Sequence, residues 1–98
     1  MANALVSIQI IPKTRSGEDV IPYVDRAIEV IQQSGVKYMV SPLETTMEGD
    51  LSELLDIVKR MNEVMIEVGC PGVLSQVKIA YNPEKGYTMD QLTEKYRG

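Results

Sequence analysis

The chain has 98 residues, of which 44% are hydrophobic and 24% charged; that balance suits one packed core and excludes disordered, collagen-like and coiled-coil readings. It contains no histidine and one cysteine, so His-based zinc sites, catalytic triads, imidazole acid–base chemistry and an intramolecular disulfide all lack their residues. A formal charge of -4 disfavours nucleic-acid phosphate and anionic membrane surfaces as partners.

The opening MANALVSIQIIP has no basic segment and meets Pro12 before a secretory signal could be completed. No apolar run approaches the roughly 20 residues of a membrane helix. With Cys70 as the lone thiol, a reducing cytoplasm is the expected compartment.

Residues 4–11, ALVSIQII, predict a strand that stops at Pro12, which has no N–H for a ladder. KTRSGED is a polar turn, and Asp19 is placed to cap a helix whose stripe is Val20, Val24, Ala27, Ile28 and Ile31. Pro22 falls in its first turn and Gly35 stops it. Residues 36–41 predict a second strand, and after Pro42 residues 43–48, LETTME, a third. Asp50 and Glu53 have the spacing of a capping box, opening a helix with Leu51, Leu54, Leu55, Val58, Met61, Met65 and Val68 on one stripe as far as Gly69. Residues 73–81 alternate as a fourth strand, and NPEKG turns into a short tail helix with a second candidate box at Thr88 and Gln91.

The order β-α-β-β-α-β plus a tail helix predicts an α+β, ferredoxin-like sandwich: a four-stranded antiparallel sheet with two helices on one face, residues 1–98 forming a single domain. The other sheet face is left for solvent, a ligand or another subunit. Alternation assigns Val6, Ile8, Ile10, Leu43, Met47, Val73, Val77 and Ile79 to the helices. It assigns Leu5, Ser7, Gln9, Ile11, Glu44, Thr46, Glu48, Leu74, Gln76, Lys78 and Ala80 to the open face. The first and third strands are the central pair of this fold, so Ser7, Gln9, Glu44, Thr46 and Glu48 are expected to converge, with Leu5, Ile11 and Met39 at the border and Gln76 alongside.

Singly, each residue has a plain explanation: Ser and Thr are common on half-exposed strands, Glu48 sits at a strand-to-helix turn, and Glu44 suits a solvated surface. Together they are more informative, because a carboxylate on a central strand needs a partner wherever it is partly buried. Cys70 follows a helix C-terminus, whose dipole favours the neutral thiol, and is no nucleophile candidate. Met61 and Met65 are core fillers. The five tyrosines are scattered, and the absence of Phe and Trp removes the stacking platform of an RNA-binding sheet. No catalytic or metal-ligating residue is assigned.

With these residues in view, the chain resembles the thiamine-binding protein family over nearly its whole length. The resemblance is carried by SIQIIP at Ser7 to Pro12, DRAIEVI at Asp25 to Ile31, GVKY at Gly35 to Tyr38, TTMEGD at Thr45 to Asp50, and the tail TEKYRG. It implies non-catalytic binding of thiamine or its hydroxymethylpyrimidine part, with no other cofactor, and self-association as a homodimer or homotetramer through the open sheet faces. The ligand site is then expected on the open face near a subunit interface, drawn from Ser7, Gln9, Met39, Glu44, Thr46, Glu48 and Gln76. An aminopyrimidine offers an exocyclic amine to carboxylate and hydroxyl acceptors and ring nitrogens to Ser or Gln donors; Glu48 is expected to be the strongest anchor if it is desolvated. Two alternatives remain: a structural or regulatory oligomerisation module without a ligand, and an enzyme using Glu44 and Glu48 as a carboxylate pair.

Overall fold

The computed structural model describes residues 2–96; Met1, and Arg97 and Gly98 of the TEKYRG tail, lie outside the described residues. Strands β1 (Ala4–Lys13), β2 (Lys37–Val40), β3 (Thr45–Gly49) and β4 (Gly72–Tyr81) form one sheet in the order β2-β3-β1-β4, antiparallel throughout. Helices α1 (Ile21–Ser34) and α2 (Leu51–Glu67) cover one face, and α3 (Met89–Thr93) follows β4. The architecture is the one expected from the chain order.

The core is the inward row of β1, Ala4, Val6 and Ile8, closed by Met47 from β3, Ala27 and Ile31 from α1, and Leu54, Ile57, Met61, Val64 and Met65 from α2. Cys70 completes it. Period-2 alternation in β1 and β3 places these residues correctly because both strands are central, with a covered face and an open one.

Five departures have physical causes. First, β1 does not stop at Pro12. Its pairing with β3 ends at Ile8 opposite Thr45, while its pairing with β4 continues to Lys13 opposite Gly72; a proline is tolerated where one side of the strand no longer needs a donor. Second, Leu43 is 77% exposed rather than in the core, because β3 starts only at Thr45 and residues 41–44 form a connection, closed by a 2.9 Å bond from the Ser41 N–H to the Glu44 carbonyl.

Third, Val77 and Ile79 share register with the inward Ile8 and Val6 but are 37% and 50% exposed. β4 is an edge strand, and helices packed over the sheet centre do not reach its outer side. Fourth, the α2 stripe is rotated: Leu55 is exposed, and Ile57 and Val64 are buried in its place. Both sets satisfy helical spacing, and only packing against β1 chooses between them. Fifth, Asp50 and Glu53 make no capping box. Asn3 caps α2 instead, accepting from the Leu51 N–H at 2.9 Å and donating to Asp50 Oδ1 at 3.1 Å. A cap contributes about 1 kcal/mol, whereas each of the five buried α2 side chains contributes about 1.5–3 kcal/mol. The helix is therefore secure whichever residue caps it.

Local signals held in part elsewhere. Asp19 stands one residue ahead of the N-cap, Val20, whose side chain makes no cap bond, so it is not the cap expected; its Oδ1 nevertheless accepts from the Ile21 N–H at 3.1 Å. The stop of α1 is as expected, at Gly35, whose φ of 82° disfavours any residue with a Cβ. The tail box forms as spaced: Thr88 Oγ1 accepts from the Gln91 N–H at 3.0 Å and Gln91 Oε1 from the Thr88 N–H at 3.2 Å.

Candidate functional site

The register lays out the open face in rows. Lys37, Glu48, Leu5 and Ala80 are successive partners across the four strands, then Met39, Thr46, Ser7 and Lys78; beyond them Gln9 faces Gln76 and Ile11 faces Leu74. Ser7, Gln9, Met39, Thr46 and Gln76 thus share one face, as alternation implies. Glu44 joins them from the connection ahead of β3.

The face is not open along its full length. Asn82 Oδ1 accepts from the Glu84 and Lys85 N–H groups, turning the chain back, and the Tyr87 N–H reaches the Ala2 carbonyl. α3 then settles over the first row. The Met89 N–H donates to Glu48 Oε1 at 2.8 Å, Lys37 Nζ pairs with Asp90 Oδ2 at 2.8 Å, and both Met89 and Leu5 are buried. Glu48, expected as the strongest ligand anchor, holds the N-terminus of α3. Leu5, expected at the border of the site, lies in this covered region. Nothing in the sequence near Glu48 announces a partner 41 residues away.

The second row is built differently. Glu44 Oε2 lies 3.2 Å from Lys78 Nζ, and because β1 separates β3 from β4, this pair arches over β1. Beneath it, Ser7 Oγ is buried without a hydrogen-bond partner. The Ser7 hydroxyl, close to the carboxyl though outside hydrogen-bond geometry, and then the Lys78 ammonium hold Glu44 below its ordinary value of 4.5, against the opposing effect of burial. Glu44 is therefore an ionised acceptor at neutral pH. Lys78 belongs with the site residues although it was assigned only to the face; its alternation with Gln76 was the available signal.

Two hollows meet here. One, of about 500 Å³, is lined by Gln9, Leu43, Glu44, Gln76, Val77 and Lys78. The other, of about 540 Å³, lies between the far end of β1, the start of α1 and the Ser41–Glu44 connection. Aliphatic side chains, among them Ile8, Ile10, Val24, Ile28, Leu43 and Met61, make most of its wall, and Gln9, Leu43 and Glu44 line both hollows. Each volume falls within the roughly 300–1,000 Å³ usual for small-molecule sites.

The raw material for chemistry is sparse. Among the described residues, no group of three or more His, Cys, Asp or Glu is gathered as a metal ion would need. Cys70 is buried in the core. Glu44 and Glu48 are four residues apart, about 13 Å in extended chain, and engage different partners.

The sequence profile of the family described as thiamine-binding protein matches residues 6–97. The chain belongs to the thiamine-binding protein family. A UPF0045 protein of Clostridium perfringens is 47% identical over 92 residues, covering 94% of this chain and 95% of that one. A Bacillus cereus structure, named as a domain of unknown function, superposes with a TM-score of 0.91 at 43% identity, covering 99% of this chain and 93% of that one. A Thermotoga maritima structure, whose name proposes a place in thiamine biosynthesis or salvage, has a TM-score of 0.86 at 34% identity, covering 97% of this chain and 99% of that one. Membership ties the fold to a thiamine-related role, and no helix of the described residues is long and apolar enough to cross a membrane.

Proposed function

We propose that this protein binds thiamine or a related aminopyrimidine, such as hydroxymethylpyrimidine, without turning it over, on the uncovered part of the open face. The observation that carries the reading is a buried, unpartnered Ser7 hydroxyl beside an ionised Glu44 at the edge of a ligand-sized opening. An unpartnered buried hydroxyl costs about 1–3 kcal/mol, which a ligand atom supplied from above would offset. Glu44 accepts from the exocyclic amine, Ser7, Gln9 and Gln76 address the ring nitrogens, and Thr46 and Met39 complete the row. Glu48 supports the site from outside by fixing α3. Family membership and the name of the Thermotoga maritima relative support the ligand class, and a cytoplasmic setting goes with it. Isothermal titration calorimetry with thiamine and hydroxymethylpyrimidine tests the reading: saturable heat supports it, and no heat from folded protein at millimolar ligand overturns it.

Self-association is the second part of the proposal, and β4 carries it. Its outer edge has no strand partner among the described residues, and Leu74, Ile79 and Tyr81 along it are each about half exposed. A ten-residue edge strand with Val73, Leu74, Val77, Ile79, Ala80 and Tyr81 among its residues is a template for pairing with another strand, and a second copy supplies one antiparallel to it. A homotetramer would add contact through the uncovered sheet face. Light scattering on wild type and Ile79→Lys tests this: a wild-type dimer or tetramer that the charge dissociates supports it, and a wild-type monomer overturns it. An oligomer that binds neither ligand would leave the assembly-module reading in place of the binder.

A further inference from the structure

Two apolar features stand at opposite ends of the open face. At the first row, α3 turns Met89 to the sheet, while Leu92 and, in the short turn Glu94–Tyr96 that follows, Tyr96 are 49% and 75% exposed. Four residues apart, they lie on one side of the tail. At the far end, β3 stops pairing with β1 at Ile8, whereas β1 runs on to Lys13 beside β4 alone. The gap is the hollow of about 540 Å³, and Ile21, Val40 and Leu43 in its wall are each more than half exposed. A space with so many aliphatic walls forfeits packing that an apolar occupant would restore.

We infer that the hollow of one copy receives Leu92 and Tyr96 of a second copy, and the reverse, across a two-fold axis over the Ser7 row. The inference rests on the self-association reading and deepens it by naming what the two open faces exchange. Height is the first argument. Facing sheets pack about 10 Å apart, and a helix with its side chains is about 10–12 Å across. α3 docked on one sheet therefore fills the space between two, and its outer side chains need a recess opposite them. Gln9 and Ile11 in the wall of the hollow are four and six residues beyond Leu5, about 13–20 Å along β1, with Ser7 between. A two-fold over Ser7 thus lays each tail against the other copy's hollow in one reciprocal, closed contact. Charge is the second argument. Lys95 Nζ lies 5.0 Å from the centre of the Tyr96 ring, so Tyr96 brings a cation with it, and the one charged side chain in the lining is the Glu44 carboxylate. Glu94, two residues from Tyr96, is off that side of the turn. Set at right angles to the axis of β4 pairing, this axis generates a closed homotetramer. The smaller hollow is left to the aminopyrimidine.

Light scattering and disulfide trapping test the exchange. Wild type is expected to be a tetramer, and the double variant Leu92→Asp, Tyr96→Asp to fall to a dimer still joined by its β4 edges. Both positions are exposed, so the charges do not disturb the core. For trapping, Leu43→Cys and Tyr96→Cys proteins are mixed and oxidised; Cys70 is buried and takes no part. Non-reducing electrophoresis should show a disulfide-linked pair of chains well above the yield of either variant alone. A double-Asp variant of the same size as a wild-type oligomer overturns the inference while pairing through β4 stands. So does a mixture that gives no more linked pair than its components. When both cysteines are placed in one chain, a disulfide within that chain would make its own tail the occupant and likewise overturns the inference. A wild-type monomer overturns the self-association reading and this inference with it.

Discussion

At one end of the open face, Leu5, Glu48 and Lys37 lie under α3; one row further on, Ser7, Gln9 and Gln76 have only the Glu44–Lys78 pair beside them. The same strands build both ends, and each end has a carboxylate. What separates them is the partner. Glu48 receives a backbone N–H whose helix is also held by a buried methionine, a local box and an ion pair, so displacing it means undocking the tail. Glu44 faces an ammonium that is 76% exposed on its side chain, and such pairs are easily exchanged. One carboxylate is part of the fold, while the other is the one proposed to meet a ligand.

The comparison can be broken most forcefully at Met89. Met89→Ala should destabilise the docked tail by about 2 kcal/mol or more, read as faster hydrogen exchange in α3, while hydroxymethylpyrimidine affinity stays within about twofold. A comparable loss of affinity would join the two ends into one site. Glu44→Gln should do the reverse, weakening thiamine binding more than about tenfold in calorimetry with the unfolding midpoint nearly unchanged. Smaller in effect, Glu48→Ala should cost about 1 kcal/mol in chemical denaturation. Glu48→Gln should recover most of that, because an amide carbonyl still accepts from Met89. If Glu48→Gln instead weakens ligand binding tenfold, the carboxylate that holds the tail also reads the ligand.

The smallest effect belongs to Lys78 and pH. Lys78→Met should strengthen binding of a cationic ligand about twofold by removing its competitor for Glu44. Because native Glu44 is held below its ordinary value of 4.5, the unfolded chain takes up the proton first. The stability from its Ser7 and Lys78 neighbours is therefore full above pH 4.5 and lost as pH falls through the depressed native value. A melting-temperature series should show a shallower acid decline in Lys78→Met than in wild type.

How much of the site was legible follows the range of the interactions. The shared face of Ser7, Gln9, Thr46 and Gln76 came from alternation alone, because successive side chains of a strand point to opposite sides whatever surrounds them. The Thr88–Gln91 box and the Gly35 stop were equally local. Glu44 was assigned to the correct face from the wrong element, since residues 43 and 44 continue the alternation of β3 without pairing in it. The Asn3 cap, 48 residues from its target, and the larger hollow left no periodic trace.

The sequence by itself determined the element order, the class of fold, the polar character of the uncovered face and the absence of histidine chemistry. These depend on composition and on contacts within a few residues. Only the tertiary structure decided that α3 docks on its own sheet and occupies Glu48, that Glu44 arches to Lys78 over a buried Ser7 hydroxyl, and that β1 outruns β3 to open a second hollow. Each depends on where distant segments stop relative to one another, which is set by packing rather than by backbone period.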